Sequence, residues 1–212
     1  MKLNVQIVLF ALLFQLTPVY AATPFERDVE TMRSIYLKAT DGDKRAVRKA
    51  IRTTTKLEHK YRGHPLALAY KGGALALRGI NIGKRPLDRM RETEEGLNLL
   101  DKALRKLPRH TGPATEIIET MLVSAYVFIN LPDSIFHRLK EGDHLVQQLL
   151  KHPAFAEQPR GLQAAIYFAA ATSAEKFNDM QKFHHYLELT TKTDPNGLNG
   201  KEANTRLKEM DD

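Results

Sequence analysis

Apolar positions recur along this chain with the period of a helix. Phe25, Val29, Met32, Tyr36 and Ala39 are spaced i, i+4, i+7, i+11 and i+14, which puts all five on one face of a 3.6-residue turn. The same reading predicts helices at 25–39, 43–62, 65–80, 87–107, 113–130, 135–151, 160–176, 179–192 and 200–210. Short breakers separate them: Asp41-Gly42-Asp43, Gly63-His64-Pro65, Leu107-Pro108, Leu131-Pro132-Asp133, His152-Pro153, Gln158-Pro159 and Asp194-Pro195. No stretch alternates strictly enough to demand a strand. The expectation is an all-α fold.

Spacing within the predicted helices suggests that they pair. Gly96, Leu100, Ala103 and Pro108 stand at offsets 0, 4, 7 and 12. Tyr167, Ala170, Ala171 and Ala174, the turn Asn178-Asp179, and then Phe183, Leu187, Thr190 and Pro195 extend the pattern over a whole helix pair. These positions resemble the tetratricopeptide repeat, in which small residues let two helices approach and large ones fill the neighbour's groove. The resemblance implies an α-solenoid of about four antiparallel pairs with a short C-terminal helix, each pair burying its apolar stripe on the next. Two segments depart from the pattern. The linker from Ile80 to Pro86 is long for a repeat turn, and Glu141 falls where a small residue is expected. Pro65-Leu66-Ala67-Leu68-Ala69-Tyr70 and Glu95-Gly96-Leu97 also resemble segments of exported bacterial repeat proteins without an assigned activity.

The N-terminus reads differently from the rest. Lys2 precedes an apolar run at 5–14 interrupted only by Gln6, Pro18 follows, and Val19-Tyr20-Ala21 supplies small residues for cleavage before Ala22. The predicted organisation is a signal peptide at 1–21 and one helical-repeat domain at 22–212. The apolar run is short for a membrane span of about 20 residues, although an uncleaved anchor is the alternative. The chain has no Cys, which excludes an acylated lipoprotein Cys, disulfides and zinc-thiolate sites. The pattern points to a bacterial periplasmic protein. Removing residues 1–21 takes away one Lys and leaves a basic chain, +6 against the +7 of the whole sequence. Acidic protein segments or an anionic envelope surface are then natural partners, and an exported chain rarely meets nucleic acid.

Charge is concentrated in one helix. Residues 44–62 hold eight Lys/Arg and a single acid, Glu58. On a helical wheel Lys44, Arg45, Arg48, Lys49, Arg52, Lys56 and Lys60 share less than half the circumference, opposite Ala46, Val47, Ala50, Ile51, Leu57 and Tyr61. Like charges at i, i+4 weaken an isolated helix. The stripe therefore reads as an anion-binding face, with a merely solvated face, neutralised from a neighbouring helix, as the alternative.

Other groupings carry less. His137, Glu141 and His144 fall at i, i+4 and i+7 on one predicted helix, but without a metal-binding motif such as H-E-x-x-H. His184 and His185 precede Glu188, yet adjacent residues point about 100° apart on a helix. Gly72-Gly73 lies within a helix and reads as close packing. Glu92, Glu94 and Glu95 suit the positive end of a helix, with a general acid pair as the alternative. No catalytic residues, no metal site and no cofactor are predicted. The reading is a periplasmic interaction or scaffolding module that holds a peptide or protein segment in a helical groove. The alternative is an accessory or catalytic subunit of a cell-envelope enzyme system. Mass spectrometry of the mature protein is expected to find Ala22 as the first residue; an intact Met1 start would identify the segment as a retained anchor.

Overall fold

The computed structural model describes residues 22–40, 44–81 and 85–211. The predicted signal segment and the breaker at 41–43 lie outside the described residues. Among those residues the chain is helical: α1 (Pro24–Thr40), α2 (Lys44–Lys60), α3 (Pro65–Asn81), α4 (Pro86–Lys106), α5 (Ala114–Asn130), α6 (Asp133–Phe136), α7 (Leu139–Leu150), α8 (Arg160–Lys176), α9 (Met180–Thr193) and α10 (Leu198–Asp211). A single 3-10 turn at Leu107–Arg109 follows α4, and no strand is present among the described residues.

Proline marks the starts. Pro24, Pro65 and Pro86 are the first residues of α1, α3 and α4, and Pro113, Pro132 and Pro159 directly precede α5, α6 and α8. Proline's fixed φ suits a helix entry, and its missing N–H removes a donor that would have no intrahelical partner there. At α9 the start is polar. Asn178 turns the chain with a φ of 57°, and the Asp179 carboxylate accepts the Lys182 amide N–H at 3.1 Å.

Helices adjacent in sequence pack in pairs: α1 on α2, α3 on α4, α5 on α7 and α8 on α9. The pairs are in turn in contact. α3 touches α1 and α5, α5 touches α8, and α2 and α7 pack on α3 and α8; α10 lies against α9 and α8. One apolar core runs from Val29 to Ala170 and includes the fully buried Met32, Leu66, Leu100, Phe128, Leu149 and Ile166. A smaller cluster joins Phe168, Ala171, Ala174, Phe183, Leu187 and Ala203, and Tyr186 packs against both.

α3 sits innermost. Residues 65–70, 72–77 and 79 are all buried. An almost uniformly apolar helix has no face to give to water, so neighbours must surround it. Tyr70, Lys71 and Arg78 each meet an acid from a different helix. Tyr70 donates to Glu119 of α5, Lys71 pairs with Glu58 of α2 at 3.1 Å, and Arg78 pairs with Glu92 of α4 at 2.9 Å. The approach of α4 is set by glycine. A Cβ at Gly72 would lie 2.7 Å from the Gly96 carbonyl oxygen, and a Cβ at Gly96 would lie 2.5 Å from that of Gly72.

The helix predicted at 135–151 is broken. His137 ends α6 in the left-handed region, with φ 53°. The Asp133 carboxylate accepts the Leu139 amide at 2.9 Å, and α7 starts there. Arg138 fixes the break from inside: its guanidinium lies 3.9 Å over the Phe128 ring and reaches Asp101 at 2.6 Å and Glu141 at 2.7 Å. The residue facing α5 is consequently Gly142, where a Cβ would stand 2.8 Å from Ile129 Cγ1. Glu141, where the repeat spacing expects a small residue, turns to Arg138 instead.

Replacing Gly96 with Val should separate α3 from α4. Ala alone would gain up to about 1 kcal/mol of helix propensity, but the obstacle is backbone and cannot yield. Gly96→Val is expected to destabilise by about 1–3 kcal/mol, read as a lower urea midpoint in equilibrium unfolding.

Candidate functional site

The basic stripe forms as its spacing requires. Val47, Ala50, Thr54 and Leu57 turn one face of α2 inward. Lys44, Arg45, Arg48, Lys49, Arg52, Lys56 and Lys60 are all exposed on the other. At the far end of the stripe Lys60 reaches Asp28 of α1 at 2.6 Å, and Arg45 at its start is engaged as well. Glu58, the acid within the stripe's own helix, is engaged by Lys71. Arg48, Lys49, Arg52 and Lys56 have no ion-pair partner among the described residues. At Asp28, the hydrogen bond from Lys60 and then that from Tyr61 hold the carboxyl below its usual range.

The other groupings read from sequence do not assemble. His137 lies in the turn before α7, so it does not share a helix face with Glu141 and His144; Glu141 pairs with Arg138 instead. His184 stands 3.8 Å from Glu188 while His185 is exposed. Glu92 is buried against Arg78, whereas Glu94 and Glu95 are exposed, so the three do not form an acid pair. Gly72 and Gly73 serve packing: a side chain at Gly73 would collide with the Tyr36 hydroxyl.

A cleft of about 420 Å³ lies between α1 and the N-terminal ends of α3 and α5. Phe25, Val29 and Leu66 give it apolar walls, and Arg33, Glu116 and Glu119 bring charge to it. It adjoins the stripe: Tyr61, next to Lys60, packs edge-on against Phe25 at 4.8 Å. Glu119 is buried and held by both Arg33 Nε and Nη2, at 2.6 and 2.5 Å, and by the Tyr70 hydroxyl. The Glu119 bond raises the Arg33 pKa, while burial and then the Glu119 charge push the Tyr70 phenol well above its usual value. Burial likewise raises Tyr36, whose hydroxyl has no hydrogen-bond partner and whose ring meets Tyr70 edge-on at 5.0 Å. The ion pair and its tyrosine join α1, α3 and α5 at one point.

Beside this network stand His64, His110 and Glu116. His110 Nε2 lies 2.7 Å from Glu116 Oε2, and His64 Nε2 lies 3.3 Å from the same oxygen. The two imidazoles meet edge-on at 4.9 Å, and Phe25 covers His64 at 4.0 Å. Burial raises the Glu116 pKa, but the bonds from His64 and His110 outweigh it, and the net shift is downward. Backbone places each member. Gly63, at φ 76°, turns the chain out of α2 just before His64. A side chain at Gly112 would fall on both Glu116 Oε2 and His110 Nε2.

Sequence reasoning passed over this cluster because its members occupy three segments. His64 lies in the α2–α3 turn, His110 lies after α4, and Glu116 is in the first turn of α5. A signal was present: successive turns between stacked pairs lie at the same end of the stack, so polar residues in them become neighbours. No protein-family model matches the chain, and searches of curated proteins and of solved structures returned no match.

Arg33→Ala leaves Glu119 buried without its ion-pair partner. Because Arg33 itself remains about a third exposed, the expected loss is about 2–3 kcal/mol, at or below the lower end for breaking a buried pair. Denaturant unfolding near neutral pH measures it, and Arg33→Lys should recover only part of it, since Lys lacks the two-pronged contact.

Proposed function

We propose that this protein is an exported binding module of the bacterial periplasm, in which stacked helix pairs of tetratricopeptide-like form support a basic docking face on α2. The observation that carries the proposal is the row Arg48, Lys49, Arg52 and Lys56, exposed and without an ion-pair partner among the described residues. Like charges at i, i+4 cost helix stability. A solvated surface would relieve that cost by mixing signs, whereas a partner's carboxylates relieve it only on binding. The partner's chemistry follows as an acidic segment of a protein or peptide, steered to the row by charge. The adjoining cleft, with Phe25, Val29 and Leu66 as apolar walls, can accept a side chain of that segment.

The repeat-like reading rests on four sequential pairs in mutual contact and on small residues at the closest crossings, Gly72, Gly96 and Gly142. In such an arrangement every pair is completed by its neighbours. The cleft also favours a second reading, an accessory or catalytic subunit of an envelope enzyme system, because apolar walls and convergent charged groups are the usual make-up of a ligand site.

Capture from an envelope extract is expected to recover a stoichiometric acidic protein. The double variant Arg48→Glu, Arg52→Glu should lower affinity for it by at least about tenfold, about 1.4 kcal/mol. Raising salt from roughly 0.05 to 0.3 M should weaken the wild-type complex, since exposed charges are screened beyond about a Debye length. A variant that captures the same protein at wild-type strength, or a complex indifferent to salt, would remove α2 from the interface.

A further inference from the structure

We propose that His64, His110 and Glu116 are the protein ligands of a zinc-class divalent metal ion, bound where the α2–α3 turn meets the connection from α4 to α5. The inference is independent of the basic face on α2 and of any acidic partner.

The donor set is the first argument. Two imidazoles and one carboxylate form a combination that suits Zn²⁺, and three protein ligands leave a position for water or an outside group. One ligand atom from each residue lies within 4.8 Å of the others. Geometry is the second. Ligands about 2.0–2.1 Å from a tetrahedral zinc ion lie about 3.3 Å from one another. His64 Nε2 and Glu116 Oε2 are at 3.3 Å, while His110 Nε2 and Glu116 Oε2, at 2.7 Å, must open by roughly half an ångström. A rotation of the His110 or Glu116 side chain supplies that.

The surroundings favour an ion as well. The three side chains are 21%, 13% and 13% exposed, which shields their charge interactions from bulk water while leaving a path in. Both histidines direct Nε2 at a single carboxylate oxygen, so an ion placed among them would replace hydrogen bonds that the three residues already share. Gly112 keeps a side chain from standing on the ligand atoms, since a Cβ there would fall on both Glu116 Oε2 and His110 Nε2. Glu116 also lines the cleft, and the remaining coordination position is open to a ligand carried there.

The structure bounds the strength of binding too. His64 Nδ1 is buried without a hydrogen-bond partner. Metal-bound histidines usually donate that second N–H to a carboxylate or carbonyl, and losing such a partner costs about 10–100-fold in affinity. The site should therefore bind in the micromolar range, as an exchangeable site rather than a locked structural one.

The experiment is calorimetric titration of tag-free, chelator-stripped protein with Zn²⁺, repeated with Co²⁺ followed by visible absorption. One equivalent per chain is expected, with intense d–d bands from the cobalt form that mark a low-coordinate nitrogen–oxygen site. His110→Asn and Glu116→Gln, each shown by circular dichroism to keep the wild-type helix content, should weaken binding at least about tenfold. His184→Ala should bind as wild type. If His110→Asn unfolds, Glu116→Gln decides, because it preserves shape and removes only the charge. The proposal is overturned if wild-type protein takes up no zinc at micromolar concentrations, or if the folded Glu116→Gln variant binds with unchanged stoichiometry and affinity.

Discussion

A helix that is apolar on every face persists in water only when other helices enclose it, and α3 imposes that condition on its surroundings. Its few polar side chains could not stay inside unless something neutralised them. Tyr70, Lys71 and Arg78 are met by Glu119, Glu58 and Glu92, supplied by α5, α2 and α4 in turn. Those acids are thereby committed inward. Commitment of Glu58 to Lys71 leaves the outer face of α2 with cations alone. The surface charge that suggests a docking face is thus not offset by the one acid of its own helix. Gly72 and Gly96 complete the enclosure by letting two backbones meet where any side chain would hold them apart.

Most of the helices were legible in the sequence because helical periodicity and proline punctuation are local signals. Pro65, Pro86 and Pro159 fix entries whatever the tertiary structure does, and described helix ends fall within two residues of their predicted positions except at one site. That exception has a tertiary cause. Nothing local in Ile135-Phe136-His137 forbids a helix; the break follows from Arg138 turning onto Phe128 and Asp101, residues of α5 and α4. Spacing counted back from Pro153 falls on Glu141, whereas the residue that packs on α5 is its neighbour Gly142.

The basic stripe was legible because it lies on one helix, where sequence spacing and spatial spacing coincide. That Arg48, Lys49, Arg52 and Lys56 have no ion-pair partner among the described residues was not, since that depends on where Glu58 and Asp28 point. The groupings that span several segments were opaque for a related reason. Arg33 and Glu119 meet across helices distant in the chain, and His64, His110 and Glu116 each belong to a different segment. A turn residue such as His64 reads as punctuation until the stacking of pairs brings the next turn beside it. In chains of this kind, function read from helix faces favours surfaces and overlooks the ends of the stack.

The small cluster at the C-terminal end has a consequence for motion. Phe183, Leu187 and Ala203 anchor α9 and α10 to α8 through an apolar patch that joins the main core by way of Tyr186. Cooperative units of a fold open with free energies that scale with what they bury. α9 sets Phe183, Leu187 and Thr190 inward, whereas α10 buries only Gly200 and Ala203, so α10 is the element of this end that costs least to open. Its release would uncover the Phe168 ring, which Arg206 overlies at 5.3 Å.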